Sequence, residues 1–378
     1  MRIAVACCGL GHVRRGVEVW AAELAGALHT AGVPVTLFKG GGIAEKPFEV
    51  VIPCVHRGQG LARLMAGWRS PGAWRTPLSS PYALESWTFT RNLIPHLRNG
   101  YDVVNLQDPL VAQKLLRARK NGRIGAEVLF ANGTEETTEF LAQFDYLQEL
   151  DPAGIEQLEA AGCPRKHWYV VPNFVVTDVF RPGDRFAARR HFGFADSDYV
   201  VLAVGAIQRQ LKRTDYIIHE FARFAEGGAG SSVLVVAGAR TEESDGLHAM
   251  ARREIGDRFR FLENMPHGEM PELYRAADVF VFPVLHGIYG IALAEAAATG
   301  LPCVVHDWKR VKWVAGPKAV VVDMNRENVL AEPLQRLRDK AVRDEIAGPT
   351  RQWAEETLSV KTVIPQYIRM YEDVIGKR

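Results

Sequence analysis

Gly290, Ile291, Ala292 and Glu295 lie in the stretch IYGIALAEAAATG, a glycine turn that leads into a helix. The first amides of a helix have no intrahelical acceptor, and the aligned peptide dipoles concentrate positive charge there. The N–H groups of Ile291 and Ala292 would therefore attract an anion such as a diphosphate. Glu295, one turn further on, can accept two hydrogen bonds from a diol. Its apolar neighbours on both sides argue against a solvated helix glutamate. A second glycine turn, Gly9-Leu10-Gly11, follows an apolar run at 3–8 and precedes Gly16 and an amphipathic stretch at 18–31. Strand, glycine turn and helix start again make a generic anion site. The glycines lack dinucleotide spacing, so a tight structural turn is an equal reading.

Residues 57–98 carry Arg57, Arg63, Arg69, Arg75, Arg91 and Arg98 against Glu85 alone, interleaved with Trp68, Trp74 and Trp87. Three readings stay open. The stretch is a patch that docks peripherally on anionic lipid, a loop whose aromatic faces (Trp68 and Trp74 foremost) stack on a sugar or other ring, or an Arg-rich covering loop with its tryptophans in the core.

The elements that must position these groups follow from length and pattern. A chain of 378 residues, 47% hydrophobic, is long enough for two cores. Its 46 basic and 44 acidic residues leave a net charge of +2, which excludes a dedicated nucleic-acid binder or a disordered tail. The five cysteines have no metal spacing and read as reduced core thiols. The residues after Met1 resemble neither a signal peptide nor a membrane span, and a cytoplasmic location is expected. Short apolar runs alternate with helix-period stretches throughout, the pattern of parallel sheets covered by helices. Strands are expected at 3–8, 35–38, 50–55, 103–106, 127–130 and 168–171. A Pro- and Gly-broken linker follows at 171–190, then strands at 199–206, 233–236, 259–262, 279–282, 302–306 and 319–322. The expectation is an α/β chain of two doubly wound, Rossmann-like domains facing across a cleft, 1–180 and 181–359, with a final helix at 360–378 packing back on the first.

Residues 270–305, MPELYRAADVFVFPVLHGIYGIALAEAAATGLPCVV, closely resemble the donor-binding signature of retaining GT-B glycosyltransferases, the family-4-like or group 1 type. Tyr274, Ala277, Asp278, Pro283, Gly290, Glu295, Gly300 and Pro302 match it in order. The resemblance implies a hexosyltransferase-type enzyme that moves a sugar from a nucleotide donor to an acceptor hydroxyl. It implies donor contacts at Glu295, Gly290, Ile291, Ala292, Gly287 and His286, with Gly11 and Gly16 on the N-terminal side. In 201–218, VLAVGAIQRQLKRTDYII, Lys212 fits the lysine of the family's phosphate-binding pair. Lys212 and Arg209 are expected to neutralise charge on the leaving diphosphate. His12, Gln107, Asp108, Trp68 and Trp74 are candidates for the acceptor, and Asn132 for catalysis. No aspartate-rich metal motif is evident, so neither a metal nor another cofactor is expected.

Several positions depart from the family pattern. Gly287 stands where a second glutamate is usual, with His286 beside it as a substitute hydrogen-bond partner. Ala206 takes the place of the paired arginine. Ala131-Asn132-Gly133 and Gln107-Asp108-Pro109 each lack a customary histidine. These departures keep two alternatives in play: a non-catalytic nucleotide-sugar-binding protein, and a GT-B epimerase or hydrolase.

Overall fold

The computed structural model describes residues 1–13, 15–60, 79–134, 136–163, 167–228, 230–287 and 289–377. They form two compact units, Met1–Pro172 with Ile364–Arg378, and Asn173–Val363. The division falls at Pro172 rather than after residue 180. The reason is local: Val175 N donates to Leu358 O at 2.8 Å and Val360 N donates to Val175 O at 3.0 Å, which ties the chain after Pro172 to the second unit.

The first unit contains β1 (Ile3–Cys7), α1 (Gly16–Thr30), β2 (Val35–Lys39), β3 (Glu49–Val51), α2 (Pro81–Leu93), β4 (Val103–Leu106), α3 (Pro109–Lys120), β5 (Glu127–Asn132), α4 (Thr138–Leu141), β6 (Tyr146–Glu149), α5 (Pro152–Ala160) and β7 (His167–Val170). All strand pairs are parallel, in the order β3-β2-β1-β4-β5-β6-β7. Helices cover both faces of such a sheet, which is why β1 is buried at all of its residues and reads as a continuous apolar run. Each of α2, α3 and α5 starts on a side-chain cap, Ser80, Asp108 and Asp151, followed by proline in the first turn. The strand β6, Tyr-Leu-Gln-Glu, is absent from the sequence expectation because its polar half is held by tertiary partners. Gln148 donates to Val171 O at 2.7 Å and to Tyr367 OH at 2.8 Å.

The second unit contains α6 (Arg185–Phe192), β8 (Tyr199–Val204), α7 (Thr214–Glu226), β9 (Ser232–Gly238), α8 (Ser244–Ile255), β10 (Phe259–Glu263), α9 (Met270–Ala276), β11 (Val279–Phe282), α10 (Ile291–Ala298), β12 (Cys303–His306), α11 (Lys309–Ala315), β13 (Val320–Val322), α12 (Ala331–Arg336) and α13 (Lys340–Thr357). Its strands are parallel in the order β10-β9-β8-β11-β12-β13. The expected linker is shorter than 171–190, since α6 begins at Arg185 under an Asp184 cap and ends on Gly193 in the left-handed region. Arg189 of α6 is fully buried and pairs with Asp278 at 2.6 Å; Arg185 and Arg343 reach the same carboxylate. Asp278, one of the signature residues, thus fastens α6 and α13 to the start of β11.

The last helix, α14 (Val360–Gly376), lays Tyr367 and Tyr371, both fully buried, on the first unit. Trp20 Nε1 of α1 donates to Tyr367 OH at 3.0 Å, and Tyr169 of β7 bonds Asp373. This supplies the packing partner that the apolar face of the C-terminal stretch requires.

Candidate functional site

In each sheet the strand order reverses beside the first strand of its unit, between β1 and β4 and between β8 and β11. Ligands of open α/β sheets bind outside the carboxyl ends of the strands at such switch points. Lys212 and Gly290 lie after strands β8 and β11 at the second of these edges, and His12, Gln107 and Asp108 follow β1 and β4 at the first.

At the edge of the second sheet, Lys212 follows β8. Its stem lies along Gly205, where a Cβ would come within 2.7 Å of Lys212 Cδ, so glycine makes room for it. Its Nζ stands 5.5 Å from the centroid of the Phe282 ring. Lys212 is partly buried and has no ion pair or hydrogen-bond acceptor among the described residues; desolvation pushes its pKa down from 10.5 to about 8. The same ring closes on Gly290, where a Cβ would sit 2.9 Å from Phe282 Cζ. Gly290 has φ +88°, a backbone conformation that favours glycine, and it opens α10. Ile291 and Ala292 are the first residues of that helix, so their amides have no intrahelical acceptor. Lys212 and the start of α10 therefore pack on one aromatic ring.

Glu295 is buried on α10. Its Oε1 faces His267 Nε2 at 2.8 Å, and its Oε2 accepts from Tyr274 OH at 2.8 Å. Arg209 is exposed and ion-paired with Glu243 at 3.3 Å. Gly287 has φ +89° and His286 is exposed.

At the edge of the first sheet, His12 lies in the turn after β1. Its Nε2 meets Glu85 Oε1 at 2.9 Å and its ring stacks on His56, with centroids 3.9 Å apart. Glu85, on α2, is completely buried. Arg57 reaches it through Nε at 2.5 Å and through its backbone N at 2.9 Å. Burial opposes the charge on Glu85, but hydrogen bonds and attraction from Arg57, then His12, hold its pKa below the ordinary carboxylate value. Burial also lowers the pKa of His12, with Glu85 opposing. Asp108, after β4, caps α3 through Val111 N at 3.2 Å and accepts from Cys8 Sγ at 2.6 Å and Tyr82 OH at 2.5 Å. Gln107 is buried beside Gly133, where a Cβ would meet its Oε1 at 2.2 Å. Asn132, at the end of β5, donates to Glu149 Oε1 at 2.9 Å, and its own Oδ1 is buried with no hydrogen-bond partner among the described residues. Gly11, with φ +102°, packs on Gly41, and Gly16 is the first residue of α1.

Of the Arg-rich stretch, Arg57 turns its guanidinium onto Glu85 and Arg91 lies over the Trp87 ring at 5.6 Å, while Arg63, Arg69 and Arg75 lie outside the described residues. Trp68 and Trp74 lie outside the described residues. The His12–Glu85–Arg57 cluster and Tyr82 went unnoticed as a unit in the sequence. Their only signal was one glutamate alone among arginines.

Residues 198–340 match the family model described as group 1 glycosyl transferases. The chain is 38% identical over 151 residues to D-inositol 3-phosphate glycosyltransferase of Geodermatophilus obscurus, covering 38% of this chain and 33% of that protein. It is 32% identical over 183 residues to the protein of the same name from Mycobacteroides abscessus, covering 47% and 36%. The chain thus spans about a third of the length of these relatives. Sucrose-phosphate synthase from Thermosynechococcus elongatus superposes with a TM-score of 0.81 at 17% identity, covering 100% of both chains. Anabaena HepE in complex with UDP and glucose gives 0.72 at 14% identity, covering 99% of this chain and 100% of that one. WaaG, a glycosyltransferase involved in lipopolysaccharide biosynthesis, gives 0.67 at 17%, again covering 99% and 100%.

Proposed function

We propose that this protein, whose residues 198–340 match the model of group 1 glycosyl transferases on a chain of GT-B fold, transfers a hexose from a nucleoside diphosphate sugar to an acceptor hydroxyl, with retention and without a metal ion. The observation that carries the reading is Lys212, a desolvated cation with no anionic partner among the described residues, packed on the same Phe282 ring that Gly290, the residue opening α10, approaches. A diphosphate is a dianion or more and would satisfy the ammonium group and the Ile291 and Ala292 amides together. Glu295 would accept the ribose hydroxyls. The solved structure of HepE with UDP and glucose makes uridine diphosphate sugars the first donors to try.

In the transfer, the acceptor oxygen bonds to the anomeric carbon on the face that the diphosphate leaves. The carbon–oxygen bond to phosphate breaks with its electrons going to the diphosphate, and the acceptor proton passes to a departing phosphate oxygen. Lys212 and the helix-start amides stabilise the charge that develops there, which is worth more in a desolvated site than in water. We assign the acceptor to the carboxyl edge of the first sheet, at His12, Gln107, Asp108 and Asn132. Because His12 and Arg57 there already share Glu85 and Asp108 already accepts from Cys8 and Tyr82, the acceptor is a hydroxyl compound held by hydrogen bonds. No helix among the described residues is long and apolar enough to cross a membrane; a cytoplasmic site of action, with no nucleic-acid partner, accompanies the proposal. A non-catalytic nucleotide-sugar-binding protein is the second reading, favoured by Gly287 where a sugar-binding glutamate is usual.

The test is a thermal-shift screen against UDP, GDP, ADP and dTDP and their sugar conjugates in metal-free buffer, followed by product analysis with the donor that binds. A ligand at a hundredfold excess over its dissociation constant adds ~2.7 kcal/mol of stability. A shift in wild type that is lost in Lys212→Ala supports the site. A folded protein that none of these ligands shifts refutes it, and tight binding without transfer or release of sugar selects the second reading.

A further inference from the structure

Glu295 is buried, yet neither of its oxygens is left to solvent alone. His267 Nε2 lies 2.8 Å from Oε1 and Tyr274 OH lies 2.8 Å from Oε2, so the two donors approach different oxygens and fix the plane of the carboxylate. Tyr274 is itself immobilised. It is fully buried, its ring packs edge-on against Phe180 and Phe280, and its hydroxyl also lies 3.1 Å from Ala292 O, in the first turn of α10. His267 is the outer member of the set, on a short 3-10 turn just before α9, with 45% of its side chain exposed and its ring 5.6 Å from that of Phe180. It is the one ion-pair partner of Glu295 among the described residues. An ionised carboxylate offers about four lone-pair positions; two donors therefore orient Glu295 without exhausting it.

We infer that His267 is a positioning residue for the nucleotide: it fixes the Glu295 carboxylate so that each oxygen keeps a lone pair for one hydroxyl of a ribose, which makes the site selective for ribonucleotides over 2′-deoxyribonucleotides. The inference rests on the donor site proposed above and adds a substrate discrimination to it. A deoxyribose leaves one lone pair of a buried carboxylate without a donor, and such a loss at a charged group weakens binding by about tenfold or more. When His267 is removed, Oε1 is free to rotate or hydrate, and the second ribose hydroxyl loses its fixed acceptor.

Calorimetric titration of the full chain compares UDP with 2′-deoxy-UDP, and likewise ADP and GDP with their 2′-deoxy forms. Wild type is expected to prefer the ribonucleotide by about tenfold or more. His267→Ala should bring the ratio below about threefold, by weakening the ribonucleotide while leaving the deoxy form nearly unchanged, and His267→Gln, which retains an N–H donor, should restore most of it. Tyr274→Phe removes only the hydroxyl from the other oxygen and should also lower the ratio, which provides a second variant should the first lose its thermal transition. A wild-type protein that binds UDP without ribose preference overturns the inference alone. So does His267→Ala with an unchanged ratio or with tighter binding of UDP, the behaviour of a cover over Glu295. A folded wild type that binds none of the three ribonucleotides overturns the donor-site reading, and the inference with it.

Discussion

At the carboxyl edge of the first sheet, charge is answered from within: His12 and Arg57 share Glu85, Lys39 has Glu49 at 2.9 Å, and Arg15 has Glu18 at 2.7 Å. At the matching edge of the second sheet, Lys212 has no carboxylate partner among the described residues, and burial alone sets its pKa. The two edges share a topology and differ in electrostatic design. An internally neutralised edge favours an uncharged ligand rich in hydroxyls, because an anion would have to compete with a carboxylate already in place. An edge that holds a desolvated cation is less stable than it could be, and that deficit is recovered only when an anion binds.

The largest effect is expected where the neutralised edge is opened. Glu85→Ala leaves Arg57 partly buried without its carboxylate, and breaking such a pair from one side costs ~3–5 kcal/mol. Scanning calorimetry should show the first unit unfolding at a markedly lower temperature. A loss under ~1 kcal/mol, the range of an exposed pair, would show that the cluster contributes little to that unit. Lys212→Ala makes the opposite change at the second edge. Nucleotide affinity and turnover should each fall by about tenfold or more, the loss of one charge-assisted contact, and near-wild-type values would remove Lys212 from the site.

A third prediction uses the protonation of Lys212. Folding lowers its pKa from 10.5 to about 8, so between these values the unfolded chain holds a proton that the folded chain has released. Stability attributable to Lys212 therefore rises with pH across that window. Lys212→Met, which keeps the stem and removes the charge, should melt at a higher temperature than wild type at pH 7, and the difference should close as pH rises past about 8. Nucleotide binding should move the other way, weakening in wild type as pH rises through about 8 and staying flat in the variant. Identical pH profiles for the two proteins would show that Lys212 does not titrate in this range.

The contrast between the edges was only half legible in the sequence. Lys212, Gly290 and Glu295 were readable because each belongs to a short run whose local pattern fixes its place: strand, loop and lysine, or strand, glycine turn and helix. The alternation of apolar runs likewise marked most strands, since parallel strands buried on both faces are continuous in hydrophobicity. The first edge is assembled from His12, Arg57 and Glu85, which are far apart in sequence and belong to a turn, a loop and α2. No local pattern announces such a meeting. The missed strand β6 has the same cause, for Gln148 and Glu149 are tolerable in a buried strand only because Val171, Tyr367 and Asn132 answer them. In 171–190, Pro182 and Gly183 masked the Asp184 cap and the Gly193 stop of α6, although both signals were present.

The smallest effect would sharpen the comparison within the second edge itself. Arg209, expected beside the donor phosphates, has its NH1 and its backbone N both on Glu243 Oε2, at 3.3 and 3.2 Å, with both side chains exposed. It is a paired cation of the kind that fills the first edge. An exposed pair of this sort is worth ~0.2–1 kcal/mol and is screened by salt. Glu243→Ala should therefore free the guanidinium and tighten nucleotide binding by about two- to fivefold at low ionic strength, with little gain above ~0.5 M salt. Arg209→Ala should leave binding nearly unchanged if the pair persists with ligand bound. A loss as large as that of Lys212→Ala would mean that Arg209 leaves Glu243 for the phosphates, making the second edge a two-cation site.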